Sequence, residues 1–287
     1  MQKITNFDEN DYQRYALIKP PSEFKGDNEK FTRIIVDSKN RNINLFPNPN
    51  SYEIQFDDEF IDLISAQLIY MCMPFTNYLI NNYFNTLNIT YDNTNYTVVL
   101  TNGNYADDKF LLHVQAQLDS VIGSGLIVIS YITSIDSYSF TSNSANFSFK
   151  FSGYTNNLAM LLGFNKNDNY TATGSGPYVL NAPYRRNFNY NNYIIMDIEQ
   201  FDILKSPDKD LNKSFAIIPQ NYTSLNLYDK AKYIKKFSPP ISRLTKLYIK
   251  IYDRFGNPYD FQNQDHHFEL LLSSYKQKRK YTNIFTQ

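Results

Sequence analysis

The sequence predicts an all-β fold, a jelly-roll β-sandwich with embellished loops and one short helix. Three observations carry that prediction. Apolar and polar residues alternate in many short runs, turn-forming residues separate the runs, and only one segment repeats at helical spacing. The clearest alternation lies between Pro239 and Ser273. Leu247, Ile249 and Ile251 fall on one face, while Lys246, Tyr248, Lys250 and Tyr252 fall on the other. After the turn residues Arg254 to Pro258, which include Gly256, a second run sets Phe268, Leu270 and Leu272 against His267, Glu269 and Ser273. The two runs are expected to pair antiparallel, and their apolar faces need a second sheet to cover them.

The remaining elements follow in chain order. Residues 1–30 have no period and carry scattered aromatics, so they are expected to form an extended arm. Phe31–Val36 is a first strand. The prolines Pro47 and Pro49 fix a rigid turn ahead of a second strand, Tyr52–Asp57. Ile61–Met73, closed by Pro74, is a third and buried strand. Leu87–Tyr91 and Tyr96–Leu100 flank Asp92-Asn93-Thr94-Asn95 and make a hairpin. The helix is capped by Asp107 or Asp108, shows a stripe of Phe110, Leu111, Val114, Leu118 and Val121, and ends at Gly123 and Gly125. Short strands are expected at Leu126–Ile132, Ser137–Thr141 and Phe147–Phe151, and a helical turn before Gly163. Residues 165–191 are read as loop, Asn192–Phe201 and Ser214–Pro219 as strands, and 202–213 and 220–238 as connections. The expected organisation is an arm (1–30), one jelly-roll domain (31–275) and a basic tail (276–287).

Composition narrows the function classes. The 28 basic and 28 acidic residues cancel, so long-range attraction to nucleic acid is not expected of the body of the protein. Cys72 is the single cysteine, which rules out an intrachain disulfide and reads as a small buried hydrophobe. No apolar run is long enough to span a membrane as a helix, and the N-terminus has no apolar signal region. Tyr (25) and Phe (22) are abundant, which suits strands and contact surfaces.

The motifs that would carry chemistry are missing. No glycine-rich turn leads into Lys and Ser/Thr at phosphate-binding spacing. His266 and His267 lie near Asp260 and Asp265, but neighbours on a strand face opposite ways and cannot share one ion. His113 sits beside the helical stripe as a partly buried histidine. Neither a serine-hydrolase context nor a paired-carboxylate site is visible. An enzyme, a cofactor and a metal are therefore not expected. Asn-x-Ser/Thr sequons begin at Asn88, Asn95, Asn146, Asn169, Asn212 and Asn221, about the number chance gives. For a carbohydrate-binding alternative, the available aromatic platforms are Tyr184, Tyr190 and Tyr193.

Several phrases together carry a resemblance. They are Arg33–Ser38, Asn48–Tyr52, the run ending Met73-Pro74, Val98–Tyr105, Leu161–Phe164, and Pro240–Leu272 with Asp253, Gly256, Asp260-Phe261 and Asp265–Phe268. In this order they resemble the minor capsid and penton proteins of nucleocytoplasmic large DNA viruses. The resemblance implies a structural protein of an icosahedral virion, made in the host cytoplasm, and most simply a penton protein. The implied partners are further copies of itself in a homopentamer, the major capsid protein and other minor capsid proteins, with no specific nucleic acid. A cement protein beneath the shell is the near alternative. No catalytic residue is implied. Assembly contacts are expected of Tyr12, Tyr15 and Phe24 in the arm, and of Lys276, Lys278, Arg279 and Lys280 in the tail.

Overall fold

The computed structural model describes residues 29–201, 204, 207, 214–220, 224–226 and 233–276. The chain forms two compact units, one from the segments up to Phe75 and from Tyr193 onward, the other from Thr76–Asn192. The segment 31–275 read as one domain therefore contains both.

The first unit holds β1 (Glu29–Asp37), β2 (Ser51–Cys72), β10 (Tyr193–Ile198), β11 (Ala216–Pro219), β12 (Ser224–Asn226), β13 (Ile234–Asp253) and β14 (His267–Tyr275). Among the described residues these seven strands make one antiparallel sheet in the order β1-β14-β2-β13-β10-β11, with β12 also on β2. β2 is a single strand where alternation suggested two. The tract from Asp57 to Asp62 interrupts the apolar pattern without ending the ladder, and Asp62 takes a positive φ of 51° there. β13 shows matching register shifts between Lys236 and Ile241 and between Leu244 and Lys246. Pro239 and Pro240 lie in the first gap, where they have no N–H to give to a ladder.

Curled about these irregularities, both halves of the sheet supply one core. Tyr52 and Ile54 come from one half of β2, Leu63, Leu68 and Met71 from the other, joined by Leu247, Ile249, Ile251, Phe268, Leu270 and Leu272. The faces assigned from alternation are thus the buried ones. The pairing assigned to them is not: β13 and β14 are separated by β2, which pairs with both. The reason is the connection between them. Asp253 Oδ1 accepts from the N–H of Phe255 and Asn257 at 2.8 and 2.9 Å, and the chain then sinks Tyr259 and Phe261 into the core. The chain reverses onto the end of β13 through a Tyr252–Pro258 bridge and a Tyr259 N–H bond to Ile251 O at 3.0 Å. The pairing stops there as Tyr259 and Phe261 enter the core, and β14 forms on the far side of β2.

The second unit holds β3 (Thr86–Tyr91), β4 (Thr94–Val99), α1 (Asp107–Val121), β5 (Val128–Ile132), β6 (Ser137–Ser142), β7 (Phe147–Lys150), α2 (Ala159–Leu162), β8 (Asn169–Thr171) and β9 (Tyr178–Asn181). One sheet runs β4-β3-β7-β8 and another β5-β6-β9. The β3–β4 hairpin closes through Asp92 and Asn93, both at positive φ (46° and 62°), the geometry that short polar side chains tolerate best. β8 and β9 fall inside the stretch read as loop; three and four residues are too few to display alternation. In α1, Phe110, Val114 and Leu118 are buried, whereas Val121 lies at the exposed end. Ala106, not an aspartate, is the N-cap. Asp107 and Asp108 occupy the first turn, where their negative charge is favourable beside the positive end of the helix dipole. Phe140, Phe149, Phe151 and Phe164 pack edge-to-face or tilted in the interior at centroid distances of 4.7–6.1 Å.

Both units are mainly strand, with curled antiparallel sheets, in agreement with an all-β, jelly-roll-like fold. Cys72 is half-buried rather than enclosed.

Candidate functional site

Of the residues expected to make assembly contacts, Tyr12, Tyr15, Phe24, Lys278, Arg279 and Lys280 lie outside the described residues, and Lys276 is exposed just beyond β14. Of the three tyrosines expected as sugar platforms, Tyr184 and Tyr190 belong to the second unit and Tyr193 to the first. Tyr190 is buried, donating to Leu79 O at 2.9 Å and packing on Phe84 at 4.7 Å. Tyr193 lies in β10 with the Arg254 guanidinium 5.5 Å over its ring, and Tyr184 is exposed in the second unit. The two adjacent histidines also part company. His266 stacks on Phe261 at 4.5 Å with Nε2 3.0 Å from Pro49 O, while His267 faces Tyr70. Among the described residues no three His, Cys, Asp or Glu side chains converge as a metal site.

Two polar clusters were not foreseen. In the first unit, Arg41 places Nη1 2.6 Å from Asp265 Oδ1 and 2.8 Å from Ser38 O, and donates through Nε to Phe46 O at 3.1 Å. Ser38 Oγ donates to Asp265 Oδ1 at 2.8 Å and accepts from the His266 N–H at 2.9 Å. Burial pushes the Asp265 carboxyl up, but hydrogen bonds from Ser38 and Arg41 outweigh it and hold the group below the usual carboxylate range. Burial pushes the His266 imidazole down to about 4. Every donor here ends on backbone or on a neighbouring side chain, so the cluster ties β1, the turn before β2 and the approach to β14 together.

In the second unit, Arg186 donates to Asp136 Oδ1 and to Asp107 Oδ2, each at 2.6 Å, with its guanidinium 4.7 Å from the Phe188 ring centroid and 4.9 Å from that of Tyr131. Asp136 also receives Arg185 and the Tyr131 hydroxyl. Hydrogen bonds from Tyr131, Arg185 and Arg186 hold its carboxyl well below the usual range. These groups line a cleft of about 570 Å³. Two arginines and two aspartates cancel across it, leaving a brace between the β5–β6 turn, the start of α1 and the chain after β9.

A third feature is neither core nor brace. On the β4-β3-β7-β8 sheet, Thr97 pairs with Asn88, Asn88 with Lys150, and Lys150 with Asn169, so one polar row crosses four strands. The next row on that face is Asn95, Thr90, Ser148 and Thr171. Between the rows lies an apolar one, Tyr96, Ile89, Phe149 and Tyr170, which points to the opposite face. A cavity of about 340 Å³ opens over the polar rows, lined among others by Asn88, Asn95, Thr97, Lys150, Tyr154 and Asn169. The sequence held a signal for it. Four of the six sequons (Asn88, Asn95, Asn146 and Asn169) are i, i+2 polar pairs at or within these strands, produced by alternation around an inward apolar residue.

The family described as "Family of unknown function (DUF5901)" matches residues 25–221. None of the curated proteins matches the chain. Among solved structures it is similar to the crystal structure of the mavirus penton protein, at 10% identity and a TM-score of 0.45, over 86% of this chain and 100% of that one.

Proposed function

We propose that this chain, which belongs to that family of unknown function, is a structural protein of a large DNA virus capsid, a penton protein at the fivefold vertices. One observation carries the reading. Three of the six phrases in which the sequence resembles minor capsid and penton proteins (Arg33–Ser38, Asn48–Tyr52 and Pro240–Leu272), although distant along the chain, meet around the Ser38–Arg41–Asp265–His266 cluster. Ser38 ends the first phrase. Asn50 of the second donates through Nδ2 to Tyr259 O at 2.8 Å, and Pro49 contacts His266. Residues spent on holding three segments in place serve shape, as a scaffold protein requires. Ile35, Ile43 and Leu45 are exposed in the same stretch of chain and offer apolar contact area. The cement protein is the alternative within this class, and the virion is the location in either case.

Native mass spectrometry of the purified full chain tests the assignment. A ring of five is expected, since a head-to-tail contact must close on itself. A monomer that binds major capsid subunits selects the cement role instead, and a monomer that binds none overturns both.

A further inference from the structure

We propose that the cavity on the outer face of the β4-β3-β7-β8 sheet is a binding site for a carboxylate-bearing monosaccharide at the end of a glycan. The argument starts from hydrogen-bond capacity. Asn88 is 7% exposed, its Oδ1 is taken by the Thr97 hydroxyl at 2.9 Å, and its Nδ2 has no partner. A buried amide donor left unpaired costs free energy that an incoming acceptor recovers. Asn169, two strands away in the same row, spends its Oδ1 on the backbone N–H groups of Phe151 and Ser152 at 3.0 and 3.2 Å, which commits its NH₂ group to the donor role. Lys150 stands between these two asparagines and, among the described residues, makes no ion pair.

The row therefore sets a buried, unpaired amide donor beside an ammonium and a second amide donor, about one strand spacing (~4.8 Å) apart. The cavity lining contains no Asp or Glu. Such a set selects oxygen acceptors and favours one negative charge. The hydroxyls and amides around it (Thr97, Asn95, Ser152) suit a polyhydroxylated ring, and Tyr154, 47% exposed at the rim, supplies an aromatic face for its C–H side. At about 340 Å³ the cavity is at the small end of ligand sites, sized for one sugar residue and not for an extended chain. The site does not rest on the capsid reading, since it lies in one sheet of one unit and needs no second copy.

The test uses the full chain with sialyllactose, lactose and inorganic phosphate as probes, followed by saturation-transfer NMR and calorimetry. Sialyllactose is expected to bind, lactose about tenfold or more weakly, and phosphate not to displace the sugar. Lys150→Glu and Lys150→Gln should each reduce sialyllactose affinity about tenfold or more with unchanged thermal unfolding, while Lys150→Arg retains it. The site is overturned by absence of sialyllactose binding, by equal binding of lactose, by displacement with phosphate, or by full affinity in Lys150→Gln. The comparison of three probes on the unaltered chain decides even where a variant fails to fold. Oligomeric state, which tests the capsid role, is read separately from the same preparation.

Discussion

At the scale of single residues, two positions have consequences that can be measured directly. Gly163 ends α2 at φ 83°, and a Cβ there would sit 2.3 Å from Tyr184 O. Gly153 has a similar φ of 86° but open space around it. Gly163→Ala is therefore expected to cost roughly 2–4 kcal/mol in denaturant unfolding, and Gly153→Ala about 1 kcal/mol, the conformational strain alone. His266, 2% exposed, gives a pH dependence. Its folded pKa of about 4 lies below the ordinary value of 6.5, so the unfolded chain binds the proton first as pH falls. The stability it contributes is complete above the unfolded value and is lost as pH drops through the interval from 6.5 to about 4, by roughly 3 kcal/mol in total. His266→Gln should flatten unfolding curves over that interval; an unchanged slope would refute the assignment. The isolation of His266 from His267 was legible in the sequence because strand geometry forbids their convergence. Its hydrogen bond to Pro49 was not, since residues more than two hundred positions apart leave no local trace.

Among elements, strand faces were easier to read than strand partners. Alternation named Leu247, Ile249, Ile251, Phe268, Leu270 and Leu272 as buried, and the core contains all six. It could not place β2 between β13 and β14, because the chain after β13 starts a hairpin and then abandons it when Tyr259 and Phe261 enter the core, which leaves no local sign. The β3–β4 hairpin was legible for the opposite reason, as its turn chemistry and both strands lie within one short window. The Arg186 brace was hidden, since Asp107, Asp136 and Arg186 sit in three separate segments. Arg186→Ala is expected to lower the stability of the second unit by about 1–2 kcal/mol, as charged hydrogen bonds to the partly buried Asp136 and the exposed Asp107 are lost together. Arg185→Ala removes a more exposed contact to one of the same carboxylates and should cost under about 1 kcal/mol. Calorimetric unfolding of both variants measures the contrast; equal effects would show that the network does not brace the loop. The sequons show a different kind of concealment: their number matches chance, and only the strand register makes four of them one polar face.

For the whole molecule, the division into two units is itself testable. Residues 76–192 are continuous in sequence and keep both sheets and helices of the second unit, so this fragment is expected to unfold cooperatively on its own. A fragment without a thermal transition would show that the unit is not self-sufficient. Ile43 and Leu45, exposed beside the first unit's cluster, test the proposed assembly role. If the chain forms the ring proposed above, the double variant Ile43→Ser and Leu45→Ser should weaken it without shifting the unfolding midpoint, as judged by native mass spectrometry and calorimetry.

The position of β2 in its sheet also has a bearing on biosynthesis. Its ladder neighbours β13 and β14 begin at Ile234 and His267, long after Cys72 has left the ribosome. At ordinary elongation rates that delay is on the order of ten seconds. A twenty-two-residue ribbon with four Ile and two Leu waits through it with both edges bare, while residues 76–192 are already complete and free to fold. Yield in a cell should therefore respond to chaperone supply and to growth temperature far more than equilibrium stability would suggest.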